Sequence, residues 1–224
     1  MDKRVQRPGV RVGYDEWSET YDTTPNPLVA LDRRYTMGLL RPRARERILD
    51  AGCGTGAHLG RILRARSRPV GLDLSRGMLR VTRRKYPVVP LAQADLNDPL
   101  PIRSASFDAA LCALVGEHLT KPPLLFHELY ASLVPTGRLV FSVFHPEMAA
   151  VGIEANFERD GVEYRLGAQR YTVEDYLTMI DRAGFRDLSV REYRGDDALA
   201  RQIPWASKYR GHPLMLAIVA RKRR

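Results

Sequence analysis

The chain has 224 residues, of which 44% are hydrophobic, which is enough apolar material for one large α/β domain. Its two cysteines, Cys53 and Cys112, are too few for a disulfide framework or, with scattered histidines, a structural zinc site, so no metal is expected. The net charge of +10 permits a polyanionic partner, but the arginines are spread along the chain without interleaved aromatic residues, which favours a solvated surface. No apolar run could span a membrane and the polar N-terminus has no signal-peptide core, so a cytoplasmic protein is expected.

Apolar runs alternate with helix-like segments from residue 47 onward. The predicted strands are 47–52, 69–74, 88–96, 107–115, 138–144, 185–193 and 214–222. The predicted helices are 55–66, 75–86, 122–134 and 172–184, with Ser75 and Thr172 as N-caps. This rhythm predicts a Rossmann-like, doubly wound α/β sheet of seven mostly parallel strands. The last two strands are joined by a predicted loop without a crossover helix, which favours an antiparallel last strand.

Two segments lie outside this rhythm. Residues 1–46 precede the core (47–146), and an insertion at 147–171 separates the core from the C-terminal part of the sheet at 172–224. Asp160-Gly161 in the insertion is a typical hairpin turn. Ligands of open α/β sheets bind at the carboxyl ends of the strands, an edge that both segments can reach. We therefore expect a single domain with an N-terminal helical lid and a hairpin covering one site.

The stretch "ILDAGCGTGAHLG" (48–60) predicts a nucleotide-binding turn between the first strand and the first helix. Its glycines, Gly52, Gly54 and Gly56, follow a G-x-G-x-G pattern, whereas the dinucleotide fingerprint G-x-G-x-x-G places Ala57 at its third glycine. Asp50, just before the turn, would face the ligand and repel a pyrophosphate, but it would attract an ammonium group. The turn therefore favours a ligand without phosphate.

Carboxylates end the next two predicted strands. Asp73 can accept hydrogen bonds from both hydroxyls of a ribose, and Asp95 can accept one from an adenine amino group. A ligand with a ribose, an adenine and an ammonium group but no phosphate is S-adenosylmethionine (SAM).

Four motifs resemble a known family. "LDAGCGTG", "GLDLSRGML", "AQADLNDPLPIRSASFD" and "PTGRLVFSVFHP" are similar, in order and spacing over 48–146, to the successive motifs of class I SAM-dependent methyltransferases. "YDEWSETYD" (14–22) resembles the lid helix of small-molecule members, including the ubiquinone/menaquinone-biosynthesis and malonyl-carrier-protein types.

The resemblance implies a set of cofactor-binding residues around the methionine, ribose and adenine. They are Tyr14, Tyr21, Asp50, Gly52, Cys53, Gly54, Gly56, Asp73, Leu74, Met78, Asp95, Leu96 and Leu114. Ordinary helix packing is the alternative for the two lid tyrosines.

The acceptor side is predicted from the residues that come after strands four and five. The candidate bases are Glu117, His118 and His145, although His118 could simply cap the next segment and His145 could simply end its strand. In the hairpin region we expect acceptor contacts from Tyr164, Arg165 and Tyr171, unless the hairpin is a solvent flap. Three more aromatic residues could reach the same edge: Phe157, Trp205 and Tyr209.

The function expected from the resemblance is methyl transfer from SAM to a small-molecule acceptor by in-line displacement, in a monomer or homodimer without nucleic-acid or membrane partners. An RNA or tRNA methyltransferase is the alternative suggested by the charge, but "LVGEH" stands where amino-directed enzymes have (N/D)PP(Y/F). Non-methyl SAM chemistry, such as intramolecular cyclisation, and a binding protein without catalysis also stay open.

Overall fold

The computed structural model of the protein describes residues 4–223. In chain order its strands are β1 (Arg4–Gln6), β2 (Arg47–Ala51), β3 (Arg68–Asp73), β4 (Leu91–Gln93), β5 (Phe107–Ala113), β6 (Leu133–Phe144), β7 (Asn156–Arg159), β8 (Val162–Arg165), β9 (Arg186–Arg194) and β10 (Pro213–Arg221). Its α-helices are α1 (Val10–Trp17), α2 (Pro27–Leu40), α3 (Leu59–Arg64), α4 (Arg76–Lys85), α5 (Pro122–Ser132), α6 (Pro146–Ala150), α7 (Val173–Arg182) and α8 (Asp197–Gln202). Short 3₁₀ helices occupy Gly116–His118 and Pro204–Tyr209.

Seven strands form a central sheet in the order β4-β3-β2-β5-β6-β10-β9. The first five pair in parallel, and β10 pairs antiparallel with both β6 and β9. The chain therefore builds outward in one direction from β2 and then in the other from β5, which places the topological switch point between these two strands. The predicted Rossmann-like sheet of seven strands with an antiparallel last strand is confirmed.

Local capping signals are confirmed at the helices that they mark. The Ser75 hydroxyl accepts a hydrogen bond from the Met78 amide (3.0 Å) at the start of α4. Thr172 and Asp175 form a reciprocal capping box at α7. The helix predicted from residue 55 begins only at Leu59, because the glycine turn still occupies the preceding residues.

The connection between β9 and β10 differs from the predicted loop. It contains α8, capped by Asp196, whose carboxylate accepts from the Leu199 amide (2.7 Å), followed by the 3₁₀ helix. A six-residue helix is too short to show a clear apolar period, which is why the sequence pattern did not indicate it. The strands remain antiparallel neighbours, so α8 is not a crossover connection.

A second, three-stranded sheet has the order β1-β8-β7. β7 and β8 form the predicted hairpin, and its turn residues Asp160 and Gly161 have φ of 52° and 73°. β1, which was not predicted, pairs in parallel with β8. We call β1, α1, β7 and β8 together the cap. No helix within residues 4–223 has the length and apolar character that a membrane span requires.

Candidate active site

A cavity of about 470 Å³ lies at the carboxyl ends of β2, β3 and β5, against the glycine turn. The amides of Gly52 and Cys53 both donate to the Leu72 carbonyl of β3, at 2.8 and 2.9 Å, and hold the turn against that strand. Gly52 and Gly54 have φ of 83° and 52°, in the left-handed region that favours glycine. We call this space the first cavity.

Most residues predicted to contact a cofactor line the first cavity: Tyr14, Tyr21, Gly52, Cys53, Gly54, Asp73, Leu74, Met78, Asp95, Leu96 and Leu114. Asp50 and Gly56 do not. Gly56 lies where an added Cβ would be 3.0 Å from the Tyr86 ring, so its absent side chain lets α4 approach the turn.

Asp50 was expected to face the ligand, but it is only 1% exposed near the end of β2 and does not line the first cavity. Burial raises the pKa of Asp50 to about 7, and nearby His58 acts in the opposite direction. The His58 Nε2 atom is 2.7 Å from a carboxylate oxygen of Asp32 on α2. His58 and Asp32 both line the first cavity. Asp32 was missed as a site residue, because it belongs to a helix far from the turn in sequence.

Asp73 is held by two backbone amides. Its two carboxylate oxygens accept from Gly54 and Ser75, each at 2.8 Å. Burial raises the pKa of Asp73 to about 6, and the same hydrogen bonds act to lower it, so the carboxylate is largely ionised at neutral pH. An ionised carboxylate whose oxygens each retain a free lone pair suits two further donors from a ligand.

The cap closes over the first cavity through α1. The Asp15 carboxylate accepts from the Ser75 hydroxyl and the Gly77 amide, both at 2.7 Å, and this anchors α1 to the start of α4. The Tyr14 hydroxyl is 2.9 Å from the His118 Nε2 atom. Burial lowers the pKa of His118 to about 4 and raises that of Tyr14, so both side chains are neutral at pH 7.

A second cavity of about 360 Å³ adjoins the first. The two share a wall of four side chains, which are those of Tyr14, Tyr21, Val29 and Leu114. The rest of the second cavity is formed by the cap, the start of α2, the end of β6 and the 3₁₀ helix that contains Trp205 and Tyr209. Two bound molecules could thus meet at a common boundary.

The three candidate bases lie in different places. Glu117 lines the second cavity, is 4% exposed, and has an Oε2 atom without a hydrogen-bond partner. Burial raises its pKa to about 7, against hydrogen bonds to the backbone of Glu117 and Phe144. His118 lines the first cavity. His145 is completely buried, lines neither cavity and caps α6, where its Nδ1 atom accepts from the Glu147 amide (3.3 Å).

The three predicted acceptor contacts, Tyr164, Arg165 and Tyr171, line neither of these two cavities. Tyr164 stacks on Phe157 with ring centroids 4.7 Å apart, and Arg165 pairs with Glu163. The Tyr171 hydroxyl donates to the Leu119 carbonyl. Phe157 is a hairpin side chain that does line the second cavity, together with Trp17 of α1, which the sequence pattern did not single out.

Comparison with known proteins identifies this arrangement. Residues 49–141 match the family model of a methyltransferase domain. The chain is 31% identical over 217 residues to an uncharacterised methyltransferase of Emericella nidulans, covering 77% of this chain and 74% of that protein. The chain belongs to the class I SAM-dependent methyltransferases.

Two further relatives support the family. The demethylmenaquinone methyltransferase of Streptomyces avermitilis is 32% identical over 142 residues, which is 61% of either protein, so the match spans about three fifths of that relative's length. A SAM-dependent methyltransferase structure from Mesorhizobium loti superposes with a TM-score of 0.74 at 25% identity, over 88% of this chain and 100% of that chain.

The residues that line the first cavity fit SAM. The two carboxylate oxygens of Asp73 are suited to accept from a pair of hydroxyl groups such as those of a ribose, and Asp95 also lines the cavity. Gly54 lines the cavity, and a Cβ added there would meet no protein atom within 4 Å. The cavity volume falls within the range of about 300–1,000 Å³ typical of small-molecule sites.

The open space at Gly54 gives a direct test of this fit. Gly54→Ala is expected to weaken binding of S-adenosylhomocysteine (SAH) at least about tenfold, because the new methyl group would take up space that the cofactor needs. Gly161→Ala is the matched control, since Gly161 also has positive φ and open surroundings but lies in the hairpin turn. Calorimetric titration measures both, and equal SAH affinities in the two variants would contradict the placement.

Proposed function

We propose that the protein transfers a methyl group from SAM in the first cavity to a small-molecule acceptor in the second. The observation that carries this proposal is the shared wall of Tyr14, Tyr21, Val29 and Leu114, across which donor and acceptor would meet. SAM supplies an electrophilic methyl group on a sulfonium. Holding a nucleophile in line with that group can lower the activation barrier by roughly 7–11 kcal/mol.

The wall shared by the two cavities is better suited to align the methyl group with the acceptor than to transfer a proton. Tyr14 and Tyr21 have raised pKa values because they are buried, so both present neutral rings and hydroxyls to the boundary. Aromatic faces near a sulfonium contribute about 0.5–2 kcal/mol of attraction. We assign to these tyrosines the positioning of the methyl group.

We assign proton acceptance to Glu117. Its carboxyl lines the second cavity and lacks a partner on one oxygen, whereas His118 is occupied by Tyr14 and His145 is buried away from both cavities. With a pKa near 7, a carboxylate is a stronger base than an ordinary glutamate and is still deprotonated in part at neutral pH.

Small acceptors fit this site better than nucleic acid. The second cavity is enclosed by the cap and has a volume of about 360 Å³, which suits a molecule of a few rings. A base within a polynucleotide would need the cap to open and a phosphate track beside it. The S. avermitilis relative, whose name assigns it demethylmenaquinone, is consistent with a small acceptor.

The test is incubation of the protein with methyl-labelled SAM and a metabolite extract, with and without added RNA. Label is expected in compounds of low molecular mass, with SAH as the second product. Label recovered in RNA would overturn the acceptor class, and methylthioadenosine in place of SAH would overturn methyl transfer. Failure to bind SAH in a calorimetric titration would overturn the proposal at its first step.

A further inference from the structure

The charged side chains that line the second cavity are all acidic, whereas the whole chain is basic. The protein has 36 Lys and Arg residues against 26 Asp and Glu residues. Among the described residues that line the second cavity there is no Lys, Arg or His, but there are three glutamates, Glu117, Glu154 and Glu158. A cavity that excludes the most abundant charged side chains of its own protein is suited to a positively charged guest.

Of these carboxylates, Glu117 is the deepest. It is 4% exposed and its Oε2 atom has no hydrogen-bond partner, whereas Glu154 pairs at 2.9 Å with the exposed Arg7. An unpaired buried carboxylate is costly for folding, and a ligand that pairs with it removes that cost. Glu117 also lies three residues after Leu114 of the shared wall, in the 3₁₀ helix that follows β5.

Aromatic rings complete the surroundings. Trp17 packs against Phe157 and Tyr21, each with ring centroids 4.9 Å apart, and all three line the second cavity. Trp17 and Phe157 stack nearly parallel, so what they offer to a guest is apolar surface. A buried carboxylate beside several rings is a binding site for an amine with an apolar body.

We propose that the acceptor is an organic amine that enters the second cavity as an ammonium ion, with its nitrogen against Glu117 and its apolar part against Trp17 and Phe157. This inference rests on the proposed function and names its substrate class. Above about pH 7, where Glu117 is ionised, an acceptor carboxylate would meet it with no cation to offset the repulsion, and a neutral alcohol would leave its charge uncompensated.

The reaction balances with these residues alone. The ammonium nitrogen gives one proton to the Glu117 carboxylate, and the freed lone pair forms a C–N bond to the methyl carbon. The methyl–sulfur bond breaks, and its electron pair stays on sulfur, which becomes the neutral thioether of SAH. The product leaves as a methylated ammonium ion, and Glu117 releases its proton to water.

The test uses three probes with one aromatic skeleton: 2-phenylethylamine, 2-phenylethanol and 3-phenylpropanoate. Each is titrated calorimetrically into the protein saturated with SAH. We expect the amine to bind at least tenfold more tightly than the alcohol, and the carboxylate not to bind. In Glu117→Gln the amine should lose at least tenfold in affinity while the alcohol is unaffected, and Glu147→Gln, an exposed glutamate outside the cavity lining, should leave both unchanged.

The inference is overturned if the alcohol or the carboxylate binds as tightly as the amine, if none of the three binds, or if Glu117→Gln binds the amine normally. SAH affinity, measured first in every variant, separates this failure from that of the proposed function. Protein that binds SAH but prefers the neutral or anionic probe would be a methyltransferase for another acceptor class. Protein that does not bind SAH would contradict the proposed function itself.

Discussion

Replacing Glu117 with glutamine is expected to lower kcat by about 10²–10⁴-fold, the range found when a general base is removed. Glutamine keeps the shape of the side chain, but it cannot take up a proton. SAH affinity should be unchanged, because Glu117 lines the second cavity and not the first. Steady-state rates, once an acceptor is in hand, and SAH titration give the two measurements. If the variant keeps the full rate, Glu117 is not the general base.

The same substitution should alter the pH profile. Burial raises the pKa of Glu117 to about 7, and a base acts only when deprotonated, so kcat/KM of the wild type should rise with pH through about 7 and then level off. The tyrosines that sense its charge, Tyr14, Tyr21 and Tyr176, all have raised pKa values and stay neutral over this range. In Glu117→Gln, measured at saturating SAM, the rise near pH 7 should be smaller, and any rise that is left would come from Asp50 or Asp73, whose pKa values are raised to about 7 and about 6.

Thermal unfolding provides the control for folding. A carboxyl whose folded-state pKa lies above its unfolded value binds more protons in the folded protein, so its cost to stability grows as the pH rises from about 4.5 to about 7 and is complete above that. Glu117→Gln removes this cost, and Tm at pH 8 should therefore be unchanged or higher. A lower rate together with a lower Tm would instead point to a structural effect.

Asp73→Ala is expected to weaken SAH binding about 100-fold. Two charge-assisted hydrogen bonds to ribose hydroxyls would contribute roughly 1.5–3 kcal/mol each to binding. Water that takes the place of the carboxylate in the variant would replace part of this free energy, which leaves a loss of about 100-fold. The variant also loses the contacts that hold the Gly54 and Ser75 amides, so the glycine turn should be less ordered. Calorimetry of protein shown to be folded by its circular dichroism measures the effect.

Asp98→Asn is the matched control for Asp73. Asp98 has a side chain that is 66% exposed, lies 4.0 Å from Lys121 and does not line the first cavity. The SAH affinity of the Asp98→Asn variant should therefore equal that of the wild type. If folded Asp73→Ala binds SAH as tightly as Asp98→Asn, the ribose role of Asp73 is wrong.

The fold was predictable wherever its determinants are local. Apolar runs marked the seven strands of the central sheet, and Ser75, Thr172 and Asp160-Gly161 marked two helix starts and a hairpin turn. β1 was not predictable, since its three residues are all exposed and its only pairing is with a strand far along the chain. α8 was missed because six residues cannot display a helical period.

In the candidate site, too, the residues whose positions depend on local sequence were predictable and the others were not. The glycine turn and Asp73 come directly after strands, so sequence position alone indicates that they meet at one edge. Side-chain direction is what sequence left undetermined. Phe144 lines the second cavity while its neighbour His145 points away to cap α6, and in the hairpin Phe157 faces the cavity whereas Tyr164 does not line it.

The position of Trp17 has a spectroscopic consequence. The chain has two tryptophans, and Trp17 is 2% exposed in contact with Phe157 whereas Trp205 is 50% exposed at the rim of the second cavity. Indole emission shifts to longer wavelength when the ring enters water, so separation of α1 from the hairpin would red-shift the Trp17 component. A guest that covers Trp205 would shift the other component toward the blue. The intrinsic fluorescence of the unlabelled protein can thus distinguish the opening of the cap from the arrival of an acceptor.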